Sequence, residues 1–456
     1  MNRTRAFIAA SASIFAFVVT GSAWAQSSPP TGPTATGNTD FYSGLQAFGS
    51  FEDFGAFNDY NRGRNVSVLQ RERPEYSAIG IPFSSFILYP RLVSGLGYTD
   101  NVFATTGSKS SDEYAEIDPQ IIAQSTWSRN SLLIDAGGLF REFASKSSED
   151  EDGGHLRATG RFDLAGASYA LAGADIQRTY EERTDGGFPV GAATPVPYTT
   201  YGVFGRGVYQ EGRIRASGSV DFRGFNFDSV DATAAAGGGK ISQSSRDESV
   251  TTVAGRGEYA PTPDTGVFGE LAYVSSDYRS LVGVPDRSSH EYRALVGTDF
   301  DLTALIRGEV GGGYVDREYN SSTYGSISGF AFRGQVEYFP TPLTTFTVNA
   351  SRSIQDAVIV NSGGYFSNLV GLKVDHELLR NLLLNAAVTY EYDEYNQLAR
   401  HDIIGNARIG FQYLLSRGVG INASYSYAKR ESRAIPTLIG PQFNVNRLFI
   451  GLVLQR

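Results

Sequence analysis

From about Phe86 to Arg456 the chain repeats one pattern: ten or so residues that alternate apolar with polar, a turn, and a return stretch. In "RGVGINASYSYAKRE" (Arg417 to Glu431), Val419, Ile421, Ala423, Tyr425 and Tyr427 share one face, while Asn422, Ser424 and Ser426 share the other. "RNLLLNAAVTYEYDEY" (Arg380 to Tyr395) reads the same way. Successive strand side chains point to opposite sides, so each stretch predicts a strand with one oily and one wet face. Eighteen such strands are predicted, near 86–98, 116–128, 131–144, 155–165, 168–180, 199–209, 213–226, 248–260, 265–278, 289–301, 304–319, 327–339, 343–357, 364–377, 381–394, 400–414, 418–430 and 443–455. An even number keeps both chain ends on one side, as in bacterial single-chain barrels.

The connections alternate in length. After every second strand they are tight: "SRN" at Ser128, "GA" at Gly166, "EG" at Glu211, "PTPD" at Pro261, "DLT" at Asp301, "PTP" at Pro340, "LLR" at Leu378 and "SR" at Ser416. The intervening ones are mostly longer and polar, most clearly Ser145 to Gly154, Glu182 to Pro197 and Ser229 to Asp247. Short periplasmic turns alternating with long external loops mark an outer-membrane barrel, and a soluble sandwich or propeller has no reason to keep that alternation. The expected fold class is therefore all-β: an antiparallel transmembrane β-barrel of about 18 strands.

Alternation assigns faces. Ile306, Val310 and Tyr314 are expected to face lipid, as are Phe330, Phe332, Val336 and Tyr338, and Ile214, Ala216, Val220 and Phe222. A charge on that face near the bilayer midplane costs roughly 2–4 kcal/mol, so charges collect in the lumen. The lumen candidates are Arg206, Arg215, Arg223, Arg256, Glu258, Arg293, Arg307, Glu309, Arg333, Glu337 and Arg408. Arg157, Arg161, Asp163, Arg213, Asp221, Asp299, Gln335 and Glu391 are assigned inward with them. Arginine and aromatic side chains there could form a track for a sugar polymer, but pairing of opposite charges across neighbouring strands accounts for most of them.

The N-terminus supplies the export route. Arg3 and Arg5, an apolar run from Ala6 to Thr20, and Ala23-Trp24-Ala25 before Gln26 read as a cleaved secretory signal. The run is too short to span a bilayer as a helix. Cleavage after Ala25 leaves 456 − 25 = 431 residues and takes the net charge from −9 to −11, since the removed segment carries two arginines and no acid. Three segments follow: 1–25 signal peptide, 26–65 low-complexity periplasmic segment and 66–456 barrel. The second opens with a Pro-, Ser-, Thr- and Gly-rich leader and continues with spaced phenylalanines (Phe51 to Phe57), read as a tail or a plug.

Composition fits this reading. There is no cysteine, so no disulfide framework or thiolate metal site. Glycine (52), tyrosine (26) and phenylalanine (29) are abundant, as barrel curvature and lipid–water boundaries require. Mean hydropathy is −0.21, because half of every barrel strand faces water. The acidity of the chain argues against nucleic acid as a partner. No catalytic, cofactor-binding or metal-ligating residue is expected. His155, His290, His376 and His401 are scattered near strand ends without metal spacing. The run Ser148-Glu149-Asp150-Glu151-Asp152 lacks a calcium-loop register and reads as a solvated loop.

Three short motifs carry a resemblance: Arg73-Pro74-Glu75-Tyr76, then Phe86-Ile87-Leu88-Tyr89-Pro90, then Asp100-Asn101-Val102-Phe103, with a "WSRN" turn at Trp127 to Asn130. Over Val66 to about Arg141 the chain resembles the family described as putative beta-barrel porins of alphaproteobacteria. The C-terminus departs from the usual barrel ending, with Arg456 last and Phe449 the nearest aromatic. The resemblance implies an outer-membrane channel linked to exopolysaccharide export, and it carries no site residues over. Expected partners are outer-membrane lipid and lipopolysaccharide, the barrel-assembly machinery, and periplasmic polysaccharide-export proteins. A general diffusion porin, or a closed structural or adhesive surface protein, are the alternatives.

Overall fold

A computed structural model describes residues 11–12 and 66–456, except 304, 360–361 and 435–439. The signal, the leader and the Phe51–Phe57 stretch lie outside the described residues, apart from the backbone of Ser11–Ala12. Eighteen long strands form the wall: β1 Phe86–Thr99, β2 Asp112–Ser125, β3 Ser131–Phe143, β4 Glu151–Asp163, β5 Tyr169–Glu181, β6 Val196–Glu211, β7 Ile214–Phe227, β8 Glu248–Thr262 and β9 Thr265–Tyr278. The circuit continues with β10 Ser289–Leu302, β11 Ile306–Tyr319, β12 Ile327–Thr341, β13 Thr344–Ile359, β14 Ser362–Leu379, β15 Leu382–Tyr395, β16 His401–Leu414, β17 Val419–Arg433 and β18 Phe443–Gln455. Each pairs antiparallel with its sequence neighbours. The last pairs with the first, Arg447 opposite Thr99 through Gln455 opposite Arg91, and the sheet closes. Closure removes the two edges that an open sheet would expose.

Strand positions follow the sequence pattern to within four residues. The two largest differences have local causes. β2 starts at Asp112 rather than 116, because its acidic opening is held: the Asp112 carboxylate accepts from the Ser145 and Lys146 backbone N–H groups at 2.9 and 2.8 Å. Pro119 sits within β2, and the β2–β3 ladder skips Asp118 and Pro119, as a residue with no N–H requires. β4 starts at Glu151 rather than 155, so half of the acidic run belongs to the wall. The tight turns use residues that tolerate positive φ, among them Asn130 (64°), Gly166 (67°) and Gly212 (58°).

The alternation has a physical outcome. Leu96, Leu271, Val296 and Ile450 are 66, 68, 70 and 55 % exposed, and they belong to an apolar band that runs around the whole outside. No soluble surface carries so continuous a band; lipid covers it. Among the described residues no helix is long and apolar enough to cross a membrane. Arg213 is a correction to the sequence reading. It lies exposed in the β6–β7 turn, donating to the Pro261 carbonyl, not inside the barrel.

Candidate functional site: the lumen and its two closures

All eleven lumen candidates occupy positions opposite in parity to the exposed apolar residues of their strands. Eight are joined in ion pairs. On the β8–β12 wall, Arg333 grips Glu270 with two bonds (2.9 and 2.8 Å) and also reaches Glu309. Arg256 binds Glu309 at 2.9 Å and Glu258 at 3.3 Å, its guanidinium 3.7 Å from the Phe268 ring centre. These bonds reach across three strands of wall. The space for them comes from Gly297 and Gly311, where a side chain would run into the Phe268 ring. Arg307 pairs with Glu337, Arg293 with Glu291, and Arg223 makes a two-bond contact with Asp175 (2.9 and 3.1 Å). Arg317 joins Glu291 to Asp356. Buried charges on this wall are thus compensated by opposite charges on neighbouring strands.

The remaining three, Arg206, Arg215 and Arg408, are half-buried. Arg206 stands in a row with Leu171 and Ser219. Arg215 reaches the Tyr169 hydroxyl at 3.4 Å, and Arg408 donates to Ser424 at 3.2 Å. Arg161 lies over the Tyr169 ring at 4.0 Å. The β4–β7 wall and β16 thus carry half-buried arginines beside the Arg223–Asp175 and Arg161–Asp163 pairs, and the β8–β12 wall carries buried ion pairs.

The outer mouth is crossed by the 182–195 loop between β5 and β6. Glu182 binds Arg447 of β18 at 2.6 Å and Arg141 of β3 at 3.2 Å. Gly186 approaches the Arg430 guanidinium of β17 so closely that a Cβ there would lie 2.6 Å from Nη1. Arg183 clamps Glu149 through two 2.6 Å bonds and packs on Phe103 and Phe188. The acidic run is thus no solvated loop, a second correction: Glu149 is buried under Arg183 and Glu151 is tied to Arg141. The base of the loop is apolar. Phe188, Ala192, Val196, Tyr198, Phe225 and Phe227 form one cluster, and the 228–247 loop bonds to it through Ala193 N–H to the Asp231 carbonyl. Arg246 seals that side against Glu181 at 2.7 and 2.8 Å.

Electrostatics in this loop are opposed. Burial alone would raise Glu182, but Arg447 and Arg141 outweigh it and bring the carboxyl down to about 2. Burial and the neighbouring Glu182 and Glu181 charges push Asp185 well above the usual carboxylate range. The Asp185 carboxyl accepts the Glu182 backbone N–H at 2.7 Å.

The inner mouth carries the second closure. Arg73, 1 % exposed, donates to Glu377 of β14 at 2.6 Å and to the Val68 and Arg71 carbonyls at 2.9 Å each. Val68 N–H donates to Thr345, Gln70 accepts from Arg307, and Arg380, Arg417 and Gln455 bond the carbonyls of Glu72, Pro74 and Tyr76. The segment thus runs along the short-turn rim from β11 round to β18. Its pinning residue, Arg73, belongs to one of the three motifs singled out above, but its partner Glu377 is 304 residues away. The third motif has a comparable task. Asp100 accepts from the Asn446 backbone and side chain (2.7 and 2.8 Å), and Asn101 donates to the Asn444 carbonyl at 2.9 Å. Of the histidines, His155 lies 3.4 Å from Asp135, and His290 and His376 contact Tyr273 and Thr344.

A closed antiparallel barrel, lipid-coated outside and charged within, defines a porin-like outer-membrane channel protein. The chain belongs to the family described as "Putative beta-barrel porin 2", which matches residues 73–456. Among solved structures it is similar to OpdL of Pseudomonas aeruginosa, at 12 % identity over 82 % of this chain and 99 % of that one, with a TM-score of 0.43. It is also similar to a BenF-like porin of Pseudomonas fluorescens Pf-5, at 11 % identity over 82 % and 100 %, TM-score 0.44. OccK2 (OpdF) of Pseudomonas aeruginosa in complex with glucuronate gives 11 %, 80 %, 97 % and 0.43 in the same terms. No curated protein matches the chain.

Proposed function

We propose that the barrel is a passive conduit and that its cargo is saccharide: the outer-membrane exit, or an accessory, for exopolysaccharide export. One observation supports conduction above the others. The inward face is charged and polar all the way round, with buried ion pairs along β8–β12 and half-buried arginines along β4–β7 and β16, which is the lining of a hydrated path. The saccharide part rests on the sequence resemblance. Periplasmic polysaccharide-export proteins would then meet the short-turn rim.

A second reading, a general diffusion porin for small solutes, is favoured by the 182–195 loop, which narrows the outer mouth. Reconstitution of the mature chain in a planar bilayer tests conduction; silence counts for a closed structural protein. Cation preference is expected to be weak, given the arginines lining the path. Deleting the gene tests the cargo: undiminished surface polysaccharide removes the export reading and leaves the diffusion porin.

A further inference from the structure

The outer ends of β12 and β13 part from each other. Their ladder runs from Phe332 opposite Arg352 down to the short-turn rim; beyond that pair Ser353–Asp356 have no strand partner on the β12 side among the described residues. β13 keeps its other neighbour, β14, as far as Asp356 opposite Gly364. The hairpin end that β13 and β14 form turns into the lumen. Ile354 packs with Leu295, Val315, Ile327 and Ala331, all at inward positions of β10–β12, and Phe366 joins them. Arg317 of β11 holds the Asp356 carboxylate at 2.6 Å and reaches the Ile354 carbonyl at 3.4 Å. A Cβ at Gly363 would lie 2.6 Å from the Tyr319 ring.

A strand edge parted from its neighbour presents backbone donors and acceptors to any extended segment that reaches it. This edge takes one: Ser11 and Ala12, within the expected signal, stand antiparallel to Val358 and Ala357. Cleavage after Ala25 would remove them and leave residues 26–65 ahead of the described chain. That segment leads to the foot of the same strand, where Val68 N–H donates to Thr345 at 3.0 Å and Ser67 and Val68 are buried. Thr345 to Asp356 is a climb of 11 residues, about 36 Å at strand rise. Phe51 to Phe57 lie 17 to 11 residues before Val68, about 56 to 36 Å of extended chain, so the stretch reaches the edge with slack. Polarity agrees. A chain descending the bore to Val68 runs in the direction of β12 and antiparallel to β13, as Ser11–Ala12 do.

We propose that the parted edge of β13, Ser353–Val358, docks the chain's own mature N-terminal segment, which runs up the bore and adds an antiparallel strand there with its Phe51–Phe57 stretch. The phenylalanines of one face of that strand meet the apolar cluster beside the edge, Ile327, Ala331, Ile354 and Phe366. In place, the strand stands in the outer half of the bore, and the channel rests plugged. This goes beyond the conduit reading: it names what occupies the path before cargo does.

The chain has no cysteine, so an introduced pair reports a single contact. Ser353 and Gln355, half-buried and bonded to each other at 3.0 Å, are the edge positions to replace. S353C or Q355C is combined with one cysteine at a time from 51 to 57 in the full mature chain, folded in detergent and oxidised; either edge position suffices if the other prevents folding. Directly opposed strand residues have Cα atoms about 4.5–5.5 Å apart, within disulfide reach. A disulfide-linked band, lost on reduction, is expected at alternate positions of the stretch, and none with T179C, which is inward on β5. No link at either edge position, links without alternation, or equal linking to T179C overturns the docked strand. Bilayer current is read separately. Deleting residues 26–65 is expected to raise it. Silence from the deleted chain removes the conduit reading and leaves the cross-links to decide the strand; current that deletion leaves unchanged overturns the plug.

Discussion

Replacing Glu182 by Gln keeps the side chain's shape and removes the charge that ties the 182–195 loop to the far wall. In the native chain that carboxylate holds Arg447 at 2.6 Å and Arg141 at 3.2 Å. The Glu182 and Arg447 side chains are 27 and 34 % exposed, so solvent discounts the pair. A charge-assisted bond in this setting contributes about 1–2 kcal/mol. The Arg183–Glu149 clamp and the Phe188 cluster stay in place, so the loop is loosened rather than lost. At 1.4 kcal/mol per tenfold, the inward-to-outward ratio of the loop should fall about 5- to 30-fold. Single-channel recording reads this as longer dwell in the high-conductance level for E182Q, with Arg447→Met giving the same change. Wild type should drift the same way as salt rises, since a pair this exposed is screened. Equal dwell ratios in wild type, E182Q and R447M would show that the loop is held by its apolar base and that the charge pairing is incidental.

Other outcomes follow from the same contacts. Alkaline pH should open the channel: the raised Asp185 carboxyl supports the loop at low pH and loses that contribution as pH climbs through its elevated value, while Glu182, depressed to about 2, contributes in full above the ordinary carboxylate value of 4.5 and loses that contribution progressively as pH falls from there to about 2. D185N, which mimics the protonated form, should remove the alkaline rise in open probability, and an unchanged rise refutes this. Removing Arg73 as R73M leaves buried Glu377 with only the longer Arg71 and Arg380 contacts (3.4 and 3.8 Å) and should cost about 1–3 kcal/mol of local stability, with R73M/E377Q recovering part of it; protease cleavage of the 66–80 segment in micelles reads both. Val296→Arg, on the lipid face, should cost roughly 2–4 kcal/mol and lower the yield of heat-modifiable folded barrel, and normal yield would overturn the facing assignment.

The wall was legible in the sequence because its rule is local. A strand's two faces alternate residue by residue, so Val419 through Tyr427 declare their own orientation with no knowledge of the rest of the chain. Tight turns such as Glu211-Gly212 declare themselves through backbone tolerance. The closures obey no local rule. Glu182 meets Arg447, and Arg73 meets Glu377, only because a cylinder brings distant strands face to face. The acidic run misled for the same reason: Glu149 and Glu151 look solvated until Arg183 and Arg141 arrive from other hairpins. Arg447 could have been flagged by parity, as an inward arginine just before outward Leu448 and Ile450 on the last strand, but its partner could not.

The Asp100-Asn101 pair has a consequence for how the cylinder is finished. β18 zips to β1 over nine residue pairs, Arg91–Thr99 against Arg447–Gln455, and at the outer end Phe443–Asn446 of β18 run on past the last rung at Thr99. There the two side chains stand in for missing rungs, taking the Asn446 amide and the Asn444 carbonyl. A newly delivered final strand that arrives one residue out of step would offer those hooks the wrong atoms. The motif thus acts as a clasp that fastens only on a correctly threaded ring, and a chain lacking it would keep a seam that can part sideways into the bilayer.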